Sequence, residues 1–375
     1  MRHALAAREK GSGGVARVRR AWRWWVVLAA VAVLMALPSL FARLPADAAA
    51  VAPTELATRI GGSAALPYSG SVETSGALLL PDIPGAEEAA DLLGSTSRLR
   101  AWVAGPTSWR VDVLTRTGEQ DTYRDSAGIT EWDSERRRVT RRSDDAILRL
   151  PRAADLLPPE LARRLLGAAA PDELHRLPAT RVAGRAVPGL RVVPRLEAST
   201  VDHIDIWADP DTGVALQVTV VAKSTQRTAL SSQFLDVSLA PVSADAVTYS
   251  PGPHIERRRG QDDFVQSALR FSTIALPPDL GGLERRPESA GSMATYGDGF
   301  GVVAVLALPA GLLERALPST IATSARPWGG TARVVQTPLV NAMGITVGPA
   351  SYVIAGPVTV AELDRLAAVL AGASG

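Results

Sequence analysis

Apolar and polar residues alternate along much of the chain after residue 67, which is the pattern of half-buried antiparallel strands. The segment 109–114 (Trp-Arg-Val-Asp-Val-Leu) shows it clearly. A longer alternation over 203–221 predicts a hairpin whose turn is supplied by 209–213 (Asp-Pro-Asp-Thr-Gly). The chain therefore predicts a protein built mainly on antiparallel sheet.

Short β-rich runs bounded by turn residues extend this prediction to two sets of strands. The first set comprises 68–80, 99–103, 109–115, 119–124, 128–133, 138–142, 186–194, 201–208, 214–222 and 232–242. The second set comprises 293–296, 299–308, 331–336, 341–347 and 351–355. Between the two sets, residues 251–263 have the composition of a linker. A chain of 375 residues accommodates two domains of ordinary size, here predicted over 54–250 and 264–375.

Three helices interrupt or close the strand series. Residues 54–60 predict a short helix before two glycines, and 156–167 predict one with prolines in its first turn and glycine at its end. The last helix starts at Thr359, where Glu362 three residues on completes a capping box. Its leucines and alanines recur at helical spacing, so we expect one face to pack against the second sheet.

The N-terminal region carries the signal for cellular location. Residues 24–42 form an uncharged run of 19 residues, and as a helix they would span roughly 28 Å, close to a hydrocarbon core of about 30 Å. Seven basic residues and one acidic residue precede position 26, which predicts a cytoplasmic tail over 1–23 and a body outside. Small residues at 46–50 also fit a signal peptidase site, so a retained transmembrane helix and a cleaved signal both stay open. Either outcome predicts an extracytoplasmic body.

The amino-acid composition excludes several kinds of functional site. The chain has no cysteine, which excludes disulfides, thiolate metal sites and a cysteine nucleophile. Residues 26–375 carry 33 basic and 37 acidic side chains, so the body does not have the charge of a nucleic-acid-binding protein. No phosphate-binding loop, dinucleotide fingerprint or hydrolase motif is present in the sequence. We therefore expect no cofactor, no metal and no catalytic residue.

Two motifs have both a functional and a structural interpretation. The spacing of Asp209, Asp211 and Gly213 is a fragment of a calcium loop, but the later ligands are missing and a hairpin turn is favoured. The arginine-rich run 135–142 suits anionic lipid headgroups, whereas a solvated strand with a protected edge is the favoured interpretation. The run 257–259 is interpreted as part of a charged linker.

Tryptophans are the candidate ligand-binding residues. Four of them lie on four separate predicted strands: Trp102, Trp109, Trp132 and Trp207. Indoles offer a large apolar area at little cost in side-chain entropy, so the four are candidates to line a groove for an acyl chain. The alternative, favoured from the residues alone, is that they are core side chains.

Several segments resemble the LolA/RseB superfamily. They are the turn 207–213, the stretches 182–185 and 189–190 before it, and the series 68–70, 99–102 and 129–133. The second domain resembles the smaller domain of RseB-like (MucB/RseB) regulators of the envelope-stress sigma factor through 297–300, 329–331 and 351–357 followed by an amphipathic helix.

The resemblance implies a fold and a function. It implies an α+β protein with a curved antiparallel half-barrel, helices on its concave side and a smaller C-terminal domain. It also implies an extracytoplasmic protein that docks the outer region of a membrane-spanning anti-sigma factor and senses a lipid or lipoprotein. A LolA-type lipid or lipoprotein carrier without a regulatory partner is the alternative. An exported hydrolase is a further hypothesis, and it requires a serine or aspartate beside His175, His203 or His254.

Overall fold

The computed structural model describes residue 48 and residues 51–81, 86–115, 118–142, 150–250, 256–259, 274–287, 289, 291–317 and 320–373. All of them belong to one compact unit, Asp47–Gly375, and the chain before it forms a separate unit, Met1–Ala46. The predicted tail 1–23 and apolar run 24–42 lie outside the described residues. Where the structure is described, no helix combines the length and the hydrophobicity needed to cross a bilayer.

A twelve-stranded sheet forms the larger part of the unit. Its strands are β1 (Tyr68–Gly76), β2 (Thr96–Gly105), β3 (Ser108–Leu114), β4 (Glu119–Asp125), β5 (Gly128–Asp133), β6 (Arg138–Arg142), β7 (Leu174–Val182), β8 (Arg185–Val192), β9 (Val201–Ala208), β10 (Ala215–Ala222), β11 (Arg227–Ser238) and β12 (Glu256–Arg259). Their order is β12-β6-β5-β4-β3-β2-β1-β11-β10-β9-β8-β7. Every neighbouring pair is antiparallel except β12 with β6. Among the described residues β7 and β12 have one neighbour each, so the sheet is open, as predicted.

Helices cover one face of this sheet. The helices of the large domain are α1 (Pro53–Gly62), α2 (Glu87–Gly94), α3 (Pro158–Leu166) and the single turn α4 (Ala244–Val247). Leu56 and Ile60 of α1 and Leu161 of α3 are buried in the same core as the alternate apolar residues of β8, β9 and β10. Prolines stand in the first turn of α1 and of α3. N–H groups of a first turn have no partner within the helix, so proline loses no helical hydrogen bond there. This is the α+β arrangement of sheet and helices expected from the sequence.

The hairpin turn after β9 forms where it was predicted. Asp209 Oδ1 accepts the N–H groups of Asp211 and Thr212, and Gly213 closes the turn with φ +73°. A Cβ at Gly213 would lie 2.3 Å from the carbonyl oxygen of Arg59 in α1, so only glycine permits this contact. The second oxygen of Asp209 pairs with Arg185 at 3.2 Å. Both oxygens of Asp209 are thus engaged in the turn and its ion pair, which confirms the turn interpretation.

The smaller domain is a six-stranded antiparallel sheet with one long helix. The small domain contains the β13–β14 hairpin (Asp279–Leu280, Leu283–Glu284), β15 (Met293–Tyr296), β16 (Val303–Pro309), β17 (Thr323–Ala325), β18 (Thr331–Gln336), β19 (Asn341–Val347), β20 (Ala350–Gly356), the short α5 (Leu313–Ala316) and α6 (Val360–Ala373). The sheet order is β15-β16-β20-β19-β18-β17. Leu363, Leu366, Ala367 and Leu370 of α6 are buried in its core, and the Thr359 hydroxyl accepts the N–H of Glu362. The predicted capping position and packing face of this helix are confirmed.

Some elements were not predicted. Helix α2 and strand β7 have no counterpart in the sequence prediction, and β12 lies inside the segment interpreted as a linker. Strand β12 pairs with β6 in parallel, with Arg257 opposite Val139 and Arg259 opposite Arg141. Local composition gave no sign of this pairing, because its partner strand lies more than 100 residues earlier in the sequence.

Candidate functional site: the seam between the two domains

Backbone hydrogen bonds join the small domain to the large sheet. The Thr200 N–H donates to the carbonyl of Pro357 at 2.9 Å, and the Thr359 N–H donates to the carbonyl of Ala198 at 2.8 Å. Ser199 forms an antiparallel bridge with Val358 between these two bonds. We call this junction the seam. Because its bonds are strand-like, the seam fixes the start of α6 against the loop that precedes β9.

A side chain at each end of the junction extends these contacts. The Thr200 hydroxyl donates to the carbonyl of Leu339 in the small domain. Asn341 is buried, and its amide donates to the carbonyl of Val358 at 2.8 Å. A buried amide that is hydrogen-bonded in this way resists local opening, because the opened state would leave it unpaired.

An apolar cleft of about 360 Å³ opens on one side of the seam. Its walls include Leu196, Phe300 and Val358, and Leu196 lies against Gly301, where a Cβ would come within 2.6 Å of the leucine. Leu196 is 43% exposed, so its apolar surface is available to a partner. Acidic residues also line this cleft. Glu173 accepts the N–H groups of Ala170 and Arg195, Glu362 pairs with Arg365, and Asp298 is the third. The lining suits a segment with apolar side chains.

A second cleft, of about 540 Å³, opens beside the same junction. Its lining is rich in hydroxyl and amide groups: Ser199, Thr200, Ser224, Thr225, Gln336, Thr337, Asn341 and Thr359. Lys223 also lines this cleft, and its ammonium donates to the carbonyl of Glu197 at 3.1 Å. The two clefts therefore differ in their charged lining residues, which are acidic in the first cleft and the basic Lys223 in the second.

The structure separates the four candidate tryptophans. Trp109 is paired with Val103 and lies on the helix-covered face. Both Trp109 and Trp207 pack against the main core. Strand pairing puts Trp102, Trp132 and Trp207 on the opposite face, which we call the outer face. The four therefore do not line one surface, and their role as ligand-binding residues stays a prediction.

Each tryptophan of the outer face has a different environment. Trp102 lies 5.0 Å from the guanidinium carbon of Arg110, within the range of a cation–π contact. The Trp207 indole N–H donates to the carbonyl of Pro178 at 3.1 Å, and its ring lies over Gly189, where a Cβ would come within 2.7 Å. Trp132 lines a small polar cleft of about 170 Å³ together with Arg136 and Arg138.

The outer face also holds a buried charge network. Arg110 donates two hydrogen bonds to Asp112, at 2.6 and 2.7 Å, and a third to Asp121 at 3.1 Å. Burial, the largest cause, and the neighbouring Asp112 raise the pKa of the Asp121 carboxyl to about 6, against the lowering effect of Arg110. Burial also raises the pKa of Asp112. Carboxylate oxygens of Asp112, Glu119 and Asp121 lie within 4.8 Å of one another, close enough to share an ion. Arg110 already provides the positive charge at this point, so we assign the network a structural role.

Histidines do not contribute to the clefts described above. His203 Nδ1 lies 2.7 Å from a carboxylate oxygen of the adjacent Asp202, and its Nε2 lies 3.8 Å from Asp205. His175 is on strand β7, and His254 lies outside the described residues. The two seam clefts and the polar cleft at Trp132 contain no histidine in their lining. Sequence reasoning missed the seam because its residues come from three separate segments, 198–200, 339–341 and 357–359, with no shared motif.

Comparison with known proteins shows similarity at the level of fold. No protein-family model matches this chain, and no curated protein matches it in sequence. It is similar to the MucA/MucB complex of Pseudomonas aeruginosa, with a TM-score of 0.47 and 17% identity over 84% of this chain and 96% of that chain. A structure of MucB in complex with MucA(peri) gives a TM-score of 0.47 and 16% identity over the same shares. A LolA superfamily protein from Nitrosomonas europaea gives a TM-score of 0.22 and 10% identity over 53% of this chain and 99% of that chain. These are the two groups of proteins that the sequence resembles.

Proposed function

We propose that this chain is an extracytoplasmic regulatory protein that acts by binding rather than by catalysis. Its partner is the outer region of a membrane-spanning anti-sigma factor, and its docking restrains an envelope-stress sigma factor. The RseB-like resemblance of both domains, in the family's order, implies this class of partner. The seam is the observation in the structure that best supports a docking role.

The seam suits docking for two physical reasons. Its backbone bonds hold two clefts in fixed positions, so a partner segment loses less free energy in ordering the surface it binds. Its apolar cleft also includes the half-exposed Leu196 beside Phe300, with acidic groups around it. An extended segment with apolar anchors would match that lining.

Affinity capture of the tagged full chain from detergent-solubilised membranes of its own organism tests the proposal. We expect a single-span anti-sigma factor to be enriched. Leu196→Asp places a charge in the apolar cleft and should reduce the recovered partner about tenfold, the loss expected for one apolar contact of an interface. Enrichment of no anti-sigma factor would contradict the proposal.

Leu235→Asp is the matched control. Leu235 is 45% exposed, close to the 43% of Leu196, but it lies at the bulge of β11 and lines neither seam cleft. The control should retain full capture. Circular dichroism of both variants separates loss of docking from loss of fold. Equal losses in the two variants would place the docking surface elsewhere.

We also propose that residues 24–42 bring the body across the membrane, either as a retained helix or as a cleaved signal. The uncharged run and the basic residues before it support this location. Alkaline phosphatase fused after residue 375 should be active in intact cells, and phosphatase fused to a chain that begins at residue 47 should be inactive. Equal activity of the two fusions would contradict an extracytoplasmic body.

Lipid sensing by the large sheet is the finer part of the proposal. Trp109 is the candidate for it, because it is the one tryptophan of the four that lies on the helix-covered face. Mass spectrometry of the natively purified protein should find an acyl lipid that is reduced in Trp109→Ala and retained in Trp102→Ala. If the natively purified protein carries no lipid, lipid sensing is contradicted, and the proposal of partner docking is unaffected.

A further inference from the structure

His203 lies between two carboxylates on strand β9 of the large sheet. Its Nδ1 is 2.7 Å from a carboxylate oxygen of Asp202, and its Nε2 is 3.8 Å from a carboxylate oxygen of Asp205. The side chains of His203 and Asp205 are 18% and 12% exposed, so solvent screens these charges only in part. An imidazolium has an N–H on each ring nitrogen, whereas a neutral ring has a lone pair on one of them. Protonation of His203 therefore changes its interaction with both carboxylates.

A β-bulge places Asp202 beside the ring of its neighbour. His203 pairs with Val221 of β10. Val201, two residues earlier, pairs with Ala222, the next residue of β10. Asp202 is therefore the extra residue of the bulge, and a bulge redirects a side chain that regular alternation would place on the other face. The fold of the sheet thus creates the contact between the imidazole and this carboxylate.

Asp202 also holds the turn between β10 and β11, residues 223–226. The Gln226 Nε2 group donates to the other oxygen of Asp202 at 3.0 Å and to the carbonyl of Lys223 at 3.1 Å. The Lys223 N–H donates to the carbonyl of Thr200 at 2.8 Å, which attaches the turn to the seam. One carboxylate therefore connects the histidine with a turn beside the seam.

Charged groups on the neighbouring elements surround this site. Arg191 of β8 donates to both oxygens of Asp205, at 2.6 and 2.7 Å, and β7 presents His175 opposite Arg191. Lys223 of the turn acts on Asp202. The pKa of Asp202 is lowered, first by the hydrogen bond from the glutamine amide and then by that from the imidazole. This carboxylate therefore stays ionised while a histidine titrates.

We propose that protonation of His203 switches one wall of the second seam cleft between a fixed and a looser state. The first three residues of the turn 223–226 form part of that wall. The imidazolium holds the Asp202 carboxylate by a charge-assisted hydrogen bond, and the fixed carboxylate keeps its bond to Gln226. Deprotonation weakens this hold and leaves a ring with a single N–H between two carboxylates. Histidine changes charge between about pH 5 and pH 8, so the wall is fixed in acid and looser above neutral pH.

Spin labels on the two walls of the second cleft test the proposal, since the chain has no native cysteine. Thr225→Cys in the turn and Gln336→Cys in the small domain are substitutions at exposed residues that line this cleft. Double electron–electron resonance of the labelled full chain in detergent measures the distance between them at about pH 5.5 and about pH 7.5. We expect a narrow distribution in acid. At the higher pH a second, displaced population should be about fivefold larger than in acid, the effect of about one hydrogen bond.

His203→Gln cannot be protonated and should give the distribution of the higher pH at both values. Gln226→Ala removes the amide that links Asp202 to the turn and should do the same. His175→Gln is the matched control, because it removes the histidine of β7 and should keep the pH response of the parent. Circular dichroism establishes that each variant is folded, and the parent's own pH response is measured without any change at His203.

A parent distribution that is the same at both pH values, or that is looser in acid, would overturn the proposal. A pH response that survives His203→Gln or disappears in His175→Gln would overturn it too. The measurement needs no partner, so failure of this switch and failure of anti-sigma docking are separate results.

Discussion

The two wings of the large sheet are stabilised by different physics. In the wing formed by β8 to β11, alternate side chains such as Ile204, Ile206 and Leu216 are fully buried beneath helices. In the wing formed by β2 to β6, the outer face buries Asp112 and Asp121 around Arg110. The first wing rests on removal of apolar surface from water and also carries the ion pair of Arg191 with the buried Asp205. The second wing differs because two buried carboxylates there share one arginine.

This difference has a consequence for function. The seam is attached to the apolar wing, because Ser199 and Thr200 directly precede β9. Because the pKa of Asp121 is raised in the folded protein, we expect the stability of the charged wing, β2 to β6, to respond to pH.

The largest expected effect is the loss of Arg110. Arg110→Ala leaves two buried carboxylates without their cation and should lower the free energy of unfolding by about 3–5 kcal/mol. Urea unfolding followed by tryptophan fluorescence measures it. A loss below about 1 kcal/mol, the size of an exposed ion pair, would contradict the assignment of a buried network.

A cavity in the other wing should cost slightly less. Leu216→Ala removes a fully buried side chain and should lower the free energy of unfolding by about 2–5 kcal/mol. Leu216 lies in the apolar core, so the loss should be the same in acidic and neutral buffers. A loss that varies with pH would remove the distinction between the wings.

The close contact between Gly189 and Trp207 allows a second test of packing in the apolar wing. In Gly189→Ala the new methyl group would meet the indole at 2.6–2.7 Å, and the overpacking should cost about 1–3 kcal/mol. Gly105→Ala, at a strand glycine with open space around its Cβ position, is the control and should cost less than about 1 kcal/mol. Equal losses would mean that Trp207 moves freely away from the glycine.

The smallest expected effect is a change in the free energy of unfolding with pH, caused by Asp121 in the charged wing. The pKa of Asp121 is about 6 in the folded protein and 3.8 ordinarily, so the folded state holds the proton more tightly than the unfolded state. Its contribution to stability is therefore fully present below pH 3.8 and is lost as the pH rises through about 6. Arg110, Asp112, Glu119 and Tyr123 surround this carboxyl.

Asp121→Asn cannot titrate, so the stability of this variant relative to the parent should rise between about pH 4 and pH 7. Urea midpoints of both proteins across this range measure the slope. Asp125→Asn, at an exposed carboxylate on the same strand, is the control for the substitution itself. A flat difference for Asp121→Asn would contradict the raised pKa.

Sequence patterns predicted the strands whose local alternation matches their final burial. The strands around 109–114 and 203–221 and the helix after Thr359 belong to this class, because each carries its own period and turn or cap. The pairing of β12 with β6, the seam and the separation of Trp109 from the other three tryptophans were not predicted. Each depends on contacts between distant segments, and a strand's register decides which face every side chain takes.

Site-specific photo-cross-linking in living cells tests whether the partner docks at the seam. A photoreactive residue would replace Leu196 at the seam or Leu235 at the control position in the full chain. We expect the seam position to form an adduct with the outer region of a single-span anti-sigma factor and the control position to form none. Adducts of equal yield at both positions, or an adduct to no membrane protein at the seam, would contradict it.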